Sequence, residues 1–229
     1  MAKNTKNKKK KTGSRAYRII YAIFAGIVGV IFNYKIVNPE KEPDACRCIV
    51  CANHVSATDA IALCYAFRKN QVCFMAKKEL FKVPVLAPLI RVLGAFPIDR
   101  GGNDVGAIKN AVSLVADGKV LGIFPQGHRY PGEDPRKTRT KNGMALIATK
   151  AQANIVPAYI WRKKNRFKLF RRTYIILGDM IPFESFGYDP EASGEYARIT
   201  NAVFDKICDI GEEFERERAA KKEKKAKKN

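Results

Sequence analysis

The sequence predicts an α/β domain: a mixed, largely parallel sheet covered by helices, preceded by an N-terminal membrane-associated helical element. Three observations support this. Short apolar, β-rich runs alternate with longer helical stretches. Polar motifs follow three of those runs directly, as they do at the carboxyl ends of strands in open α/β sheets. A continuous apolar run stands near the start with basic residues on both sides.

Residues 1–15 read as a basic arm and 16–40 as the membrane-associated helical segment. Residues 41–215 read as one domain, and 216–229 as a basic tail. In "AYRIIYAIFAGIVGVIF" the uninterrupted apolar part, Ile19 to Phe32, is 14 residues long. A spanning helix needs about 20. The stretch resembles a signal peptide, but "NYKIVNPEK" follows with no small-residue cleavage site. Basic residues on both flanks do not favour opposite sides of a bilayer. The expectation is a helix that enters the cytoplasmic leaflet and stays there; an N-terminal core helix is the alternative.

Strands are predicted at residues 48–52, 72–76, 96–99, 120–124, 155–159 and 174–177. Helices are predicted at 59–68, 85–93, 104–117, 143–153 and 196–218. Each strand run is short and β-branched or aromatic, and each helical run is long enough for two turns or more. The tail beyond is charged almost throughout and reads as a helix end that frays.

Lys plus Arg is 43 against 22 Asp plus Glu, a net charge of +21. Much of the excess sits in residues 1–15 and 218–229, yet the body is basic too, so its partners should be anionic. No helix-turn-helix spacing, ribonucleoprotein signature or zinc-finger pattern is present, which argues against nucleic acid. Cys46, Cys48, Cys51 and His54 lie close in sequence, but Cys48 and Cys51 fall in a predicted strand, where successive side chains point to opposite faces. No metal is expected, and the six cysteines read as reduced, mostly buried thiols.

The candidate chemistry lies in three polar clusters. In "CANHVSATDA", His54 is a candidate general base, because its ordinary pKa is near working pH. Asp59, near the start of the next helix, reaches the imidazole if the chain turns at residues 56–58. A helix N-terminus with a capping Ser56 or Thr58 and a favourably placed acid explains the same letters. No G-x-S-x-G elbow supplies a nucleophile, so a base at His54 would activate a hydroxyl on the substrate. "GAFPIDRGG" offers Arg100 between a strand end and two glycines, a candidate phosphate ligand or a surface turn residue. "IFPQGHRY" offers Gln126, Gly127 and Arg129, with backbone N–H groups near Gly127 suited to an anion. His128 is a rival base. Pro157 in "IVPAYI" reads as a pocket wall or an edge device.

In this order the blocks resemble the glycerolipid acyltransferases. Asn53, His54 and Asp59 meet an N-H-x4-D block, "GAFPIDR" meets the second, "FPQGHRY" meets the third imperfectly, and "IVP" meets the fourth. "MAKKELFKVP" resembles the stretch between the first two. The likeness covers about residues 45–185 and is closest to the bacterial 1-acyl-sn-glycerol-3-phosphate acyltransferases. It implies a base at His54 supported by Asp59, phosphate ligands at Arg100 and Arg129, and Gln126 and Gly127 in the substrate site. It implies an acyl thioester of coenzyme A or acyl carrier protein as co-substrate, with no bound cofactor. Partners would be lysophospholipid and an anionic membrane surface, at the cytoplasmic face of the cell membrane. The third block carries Gln126 and His128 where the family pattern has Glu and Thr. The chain is therefore expected to acylate lysophosphatidate, with another acceptor or a non-catalytic lipid- or carrier-binding role as alternatives. Gln126 is expected to serve if the residue there mainly braces a loop.

Overall fold

A computed structural model describes residues 15–44, 47–84, 86–99 and 105–227. Most of the basic arm, together with Cys46 and Arg100, lies outside the described residues. Seven strands form one sheet in the order β1-β7-β6-β2-β5-β3-β4. They are β1 (Tyr34–Val37), β2 (Cys48–Ala52), β3 (Val72–Lys77), β4 (Ala95–Ile98), β5 (Val120–Ile123), β6 (Asn154–Trp161) and β7 (Thr173–Leu177). All pairings are parallel except β6 with β7, so β1 and β7 run against the other five. This is the mixed, largely parallel sheet expected.

Helices cover both faces. On one side lie α1 (Arg15–Ile31) and α2 (Asp59–Ala66). On the other lie α4 (Val105–Ala116), α5 (Gly143–Ala151) and α6 (Glu195–Ala226). A short α3 (Leu86–Val92) leads into β4. β2 is buried along its whole length, because each face of the strand is covered. Cys48 joins the α1/α2 core and Cys51 the α4–α6 core, so the two thiols point to opposite faces. Burial pushes the Cys51 thiol far up from its ordinary value.

Several elements differ from expectation. Strand β1 falls within residues 16–40 and had no counterpart in the sequence reading. Only four residues long, it follows Asn33 in a left-handed turn and pairs with β7 in parallel register. Helix α2 stops at Ala66, two residues early. The buried Glu42 carboxylate takes the backbone N–H groups of Arg68, Lys69 and Asn70, which pulls the chain off the helix. Helix α6 runs on to Ala226. Its first half buries Ile199, Val203 and Ile207 on the sheet, and Arg218 lies over the Trp161 ring at 4.1 Å.

Pro157 is not an edge residue, because it lies within an interior strand, but it does wall a cavity between β7 and α6. The chain opposite leaves the ladder between Gly178 and Met180, and rejoins it where Ile155 and Ile181 exchange hydrogen bonds. Gly178 N–H donates to the Pro157 carbonyl, so the side of β6 that lacks a donor faces this excursion.

Helix α1 packs on α2, with Tyr17 and Val28 buried and the Tyr21 hydroxyl donating to the Tyr65 carbonyl at 3.0 Å. Its other face exposes Ile19, Ile23, Ile27 and Val30. No helix among the described residues is long and apolar enough to cross a membrane.

Candidate active site

Strands β2, β5, β3, β4 and β6 are mutually parallel and finish at one edge of the sheet. The polar segments after β2, β5 and β6 meet there. Asn53 extends β2 beyond its last ladder residue: its amide donates to the Ile160 carbonyl at 3.2 Å and accepts from Ile160 N–H at 2.7 Å. This fixes where the chain turns, and His54 follows immediately.

The turn brings Asp59 back onto His54. Asp59 Oδ2 lies 2.8 Å from His54 Nδ1 and accepts N–H bonds from Val55 at 2.7 Å and Ser56 at 2.8 Å. Thr58, the residue before α2, makes no side-chain cap, so the acid itself closes the turn. Asp59 Oδ1 accepts from the Arg162 guanidinium, whose other arm donates to Thr58 Oγ1 at 3.2 Å. Both charged groups are almost fully buried, at 0% exposure for Asp59 and 2% for Arg162.

Burial opposes ionisation of Asp59. The hydrogen bond from His54 and the charge of Arg162 outweigh it and hold the carboxyl below its ordinary range. An ionised carboxylate only accepts, so Nδ1 carries a hydrogen, and in the neutral imidazole Nε2 is the nitrogen that holds the lone pair. Among the described residues no hydroxyl or thiol bonds the imidazole.

The third block clamps His54 from the other side. Gln126 Oε1 accepts from His54 N–H at 2.6 Å, and His54 C=O accepts from Tyr130 N–H at 2.9 Å. The Phe124 ring stacks under the imidazole with centroids 4.0 Å apart and planes 8° from parallel. Phe74 stacks on Phe124 in turn, and Gly122 leaves room for it: a Cβ there would lie 2.1 Å from the Phe74 ring. The ring of His54 is thus fixed by its own backbone, a carboxylate and an aromatic face.

Gln126, named above among substrate ligands, is buried at 1% exposure with both ends of its amide engaged. Its Nε2 donates to Thr138 Oγ1 at 2.7 Å, and Thr138 donates onward to the Pro135 carbonyl at 2.6 Å. The side chain braces two loops. Gly127 sits at φ 72, and its N–H bonds the Phe124 carbonyl at 2.9 Å, so this amide closes a turn. His128 is exposed and packs its ring against Tyr130 at 4.2 Å, while Arg129 is exposed beside it. Arg100 lies outside the described residues; in sequence it follows Asp99, which comes directly after β4 and pairs with Lys78.

Arg162 is the member of the cluster that sequence reasoning missed. It lies 103 positions from Asp59, in a run of basic residues that looks like solvated surface. The available signal was its place directly after a strand parallel to β2. A separate cavity of 570 Å³ between β7 and α6, lined by Leu177, Met180 and Ile210, contains none of these residues.

Several known proteins resemble this chain. A 1-acyl-sn-glycerol-3-phosphate acyltransferase of Bacillus subtilis is 27% identical over 199 residues, covering 86% of this chain and 94% of that protein. One of Streptococcus pneumoniae is 32% identical over 164 residues, covering 69% and 59%. The crystal structure of the 1-acyl-sn-glycerophosphate acyltransferase of Thermotoga maritima superposes with a TM-score of 0.66 at 23% identity, over 87% of this chain and 79% of that one. The family model described as Acyltransferase matches residues 33–161. That span runs from the turn before β1 to the end of β6 and holds His54, Asp59 and Gln126; the chain belongs to the acyltransferase family.

Proposed function

We propose that this acyltransferase moves a fatty acyl group from a thioester to the 2-hydroxyl of lysophosphatidate, making phosphatidate. The observation that carries the reading is the free Nε2 of an imidazole whose Nδ1 is held by a buried, ionised carboxylate. Nε2 takes the hydroxyl proton as the alcohol oxygen attacks the thioester carbonyl. The tetrahedral intermediate collapses, the carbon–sulfur bond breaks, and the leaving thiolate takes the proton from the imidazolium. Asp59 stabilises that imidazolium without itself being protonated. No covalent enzyme intermediate is needed, and the burial of Cys51 is consistent with this.

Arg129, exposed beside the site, is the proposed ligand for the lipid phosphate, with Arg100 as the second on the strength of the sequence alone. The relatives named above support lysophosphatidate as acceptor. The donor is an acyl thioester of coenzyme A or of acyl carrier protein. The apolar outer face of α1 supports attachment to the cytoplasmic face of the cell membrane by a helix lying in one leaflet.

The test is direct. The purified chain is incubated with lysophosphatidate, glycerol 3-phosphate, other lysophospholipids and a lyso-aminolipid, each with both thioesters, and products are identified by mass. Phosphatidate as the dominant product supports the reading. Preference for another acceptor keeps the chemistry and replaces the substrate. No transfer to any acceptor would leave a lipid- or carrier-binding relative.

A further inference from the structure

The segment between β6 and β7, residues 163–172, combines two properties. It carries Lys163, Lys164, Arg166, Lys168, Arg171 and Arg172, all exposed, and no acidic residue. Near its tip it also exposes Leu169 (46%) and Phe170 (65%). A phenyl ring this open on a basic loop has no folding rationale, because burying it would add stability.

The backbone at Phe170 is held in an uncommon conformation. Its φ is 60, the left-handed region that a bulky residue rarely adopts. Two bonds to the end of α1 keep it there: Phe170 N–H donates to the Ile31 carbonyl at 3.2 Å, and Asn33 Nδ2 donates to the Phe170 carbonyl at 3.2 Å. Arg172 Nε donates to Asn33 Oδ1 at 2.9 Å and locks the same turn. The Phe170 backbone is therefore fastened to the C-terminal end of α1, the helix on which Val30 is 77% exposed.

The other end of the segment is fastened to the site. Arg162 holds Asp59, and Asn165 binds the chain after Tyr130 on both sides, accepting from Gly132 N–H at 2.7 Å and donating to the Glu133 carbonyl at 2.8 Å. One strap thus joins the catalytic edge to the C-terminal end of α1.

We propose that this strap is a second membrane-docking element: Phe170 and Leu169 enter the interfacial region of an anionic phospholipid bilayer while the six basic side chains bind its headgroups. The pairing of an apolar tip with an all-basic surround fits a bilayer surface, where one end is greasy and the rim is negatively charged. Two attachments, α1 and the strap, fix the orientation of the protein and turn the His54 edge toward the lipid. The inference shares the membrane face with the function proposed above and does not depend on acyl transfer.

The test uses the full chain with extruded vesicles of phosphatidylcholine, alone or mixed with phosphatidylglycerol, and no thioester. Partition is read by co-sedimentation. Phe170→Gly removes the ring and relaxes the left-handed backbone, so its thermal midpoint should equal or exceed that of the parent. Its partition into the mixed vesicles should fall roughly tenfold, and further when combined with Leu169→Ala. Lys168→Gln with Arg171→Gln should lose on the order of tenfold on mixed vesicles and little on neutral ones. Leu169→Ala alone, which leaves the Phe170 backbone untouched, serves as a second variant and should also weaken binding. Loop variants that sediment like the parent overturn the proposal. So does retained vesicle binding with lost retention on an immobilised acidic acyl carrier protein, which would assign the strap to that partner. Vesicle binding as expected from a chain inactive toward every acceptor would sink the enzymatic reading and leave the docking surface standing.

Discussion

Replacing Arg162 by Met tests whether the buried carboxylate is held for catalysis or merely accommodated. The guanidinium is 2% exposed and serves both Asp59 Oδ1 and Thr58 Oγ1. Removing one partner of a buried ion pair typically costs about 3–5 kcal/mol. Asp59 keeps three further donors, from His54, Val55 and Ser56, so the expected loss is near the lower end, about 3 kcal/mol. For a chain of this size that lowers the thermal midpoint by about 6–12 °C. The pH dependence has a definite sign. The folded-state carboxyl of Asp59 lies below its unfolded value. Its stabilising contribution is therefore complete above the unfolded carboxylate range, about pH 4, and is lost as pH falls through the folded value. Without Arg162 that folded value rises, so the acid limb of both stability and turnover moves to higher pH. Arg162 touches no substrate in this scheme, so kcat should fall with KM nearly unchanged. Arg162→Lys keeps the charge without the two-armed geometry and should fall between Met and the parent. Differential scanning calorimetry and pH–rate profiles supply the readouts. A Met variant within about 0.5 kcal/mol of the parent, with an unmoved acid limb, would refute the reasoning.

Other outcomes follow from the same geometry. His54→Ala should lower kcat by about 10²–10⁴, while His128→Ala, altering an exposed ring, should change it only a few-fold; the reverse order in one acyl-transfer assay would transfer the role to His128. Gln126→Glu should destabilise by about 1–3 kcal/mol. It puts a charge where Gln126 is 1% exposed and removes the donor that Thr138 accepts; a rise in turnover by orders of magnitude would show that the brace is not the residue's function. Gly122→Ala forces the Phe74 ring from under Phe124 and loosens the stack beneath His54. Overpacking of this kind costs about 1–3 kcal/mol, and a parallel loss of kcat is expected; full activity at normal stability would show that the stack does not position the imidazole.

The sequence displayed what is local and concealed what is distant. His54 and Asp59 were legible as a pair because both lie on one turn, and every atom that joins them belongs to residues 54–59. The six strands from β2 to β7 were legible because each carries an apolar run. The four-residue β1 was hidden behind an apolar helix that dominated its neighbourhood. Arg162 was hidden for a different reason. A buried arginine is marked by its partner, and here the partner is more than a hundred positions away, while six of the ten residues after it, "KKNRFKLFRR", are basic. Gln126 was noticed as a departure from a motif, and its meaning came only with Thr138 and the His54 backbone in place.

These two kinds of residue bear on one another. The charge that fixes Asp59 and the charges proposed to meet the membrane lie in a single stretch, Arg162 to Arg172, which differ in burial and not in type. A neutral linker would have joined β6 to β7 as well. A basic one does so while one guanidinium points inward to the carboxylate and the others remain in solvent. The inward residue is held by Asp59 and Thr58 regardless of the lipid, so the site is assembled before docking. Membrane binding should then change access to the lipid acceptor more than the rate of a bound one. Loop variants at Phe170 should accordingly raise KM for vesicle-borne acceptor and leave kcat near that of the parent. A fall in kcat alone, measured at saturating acceptor, would contradict a strap that only docks.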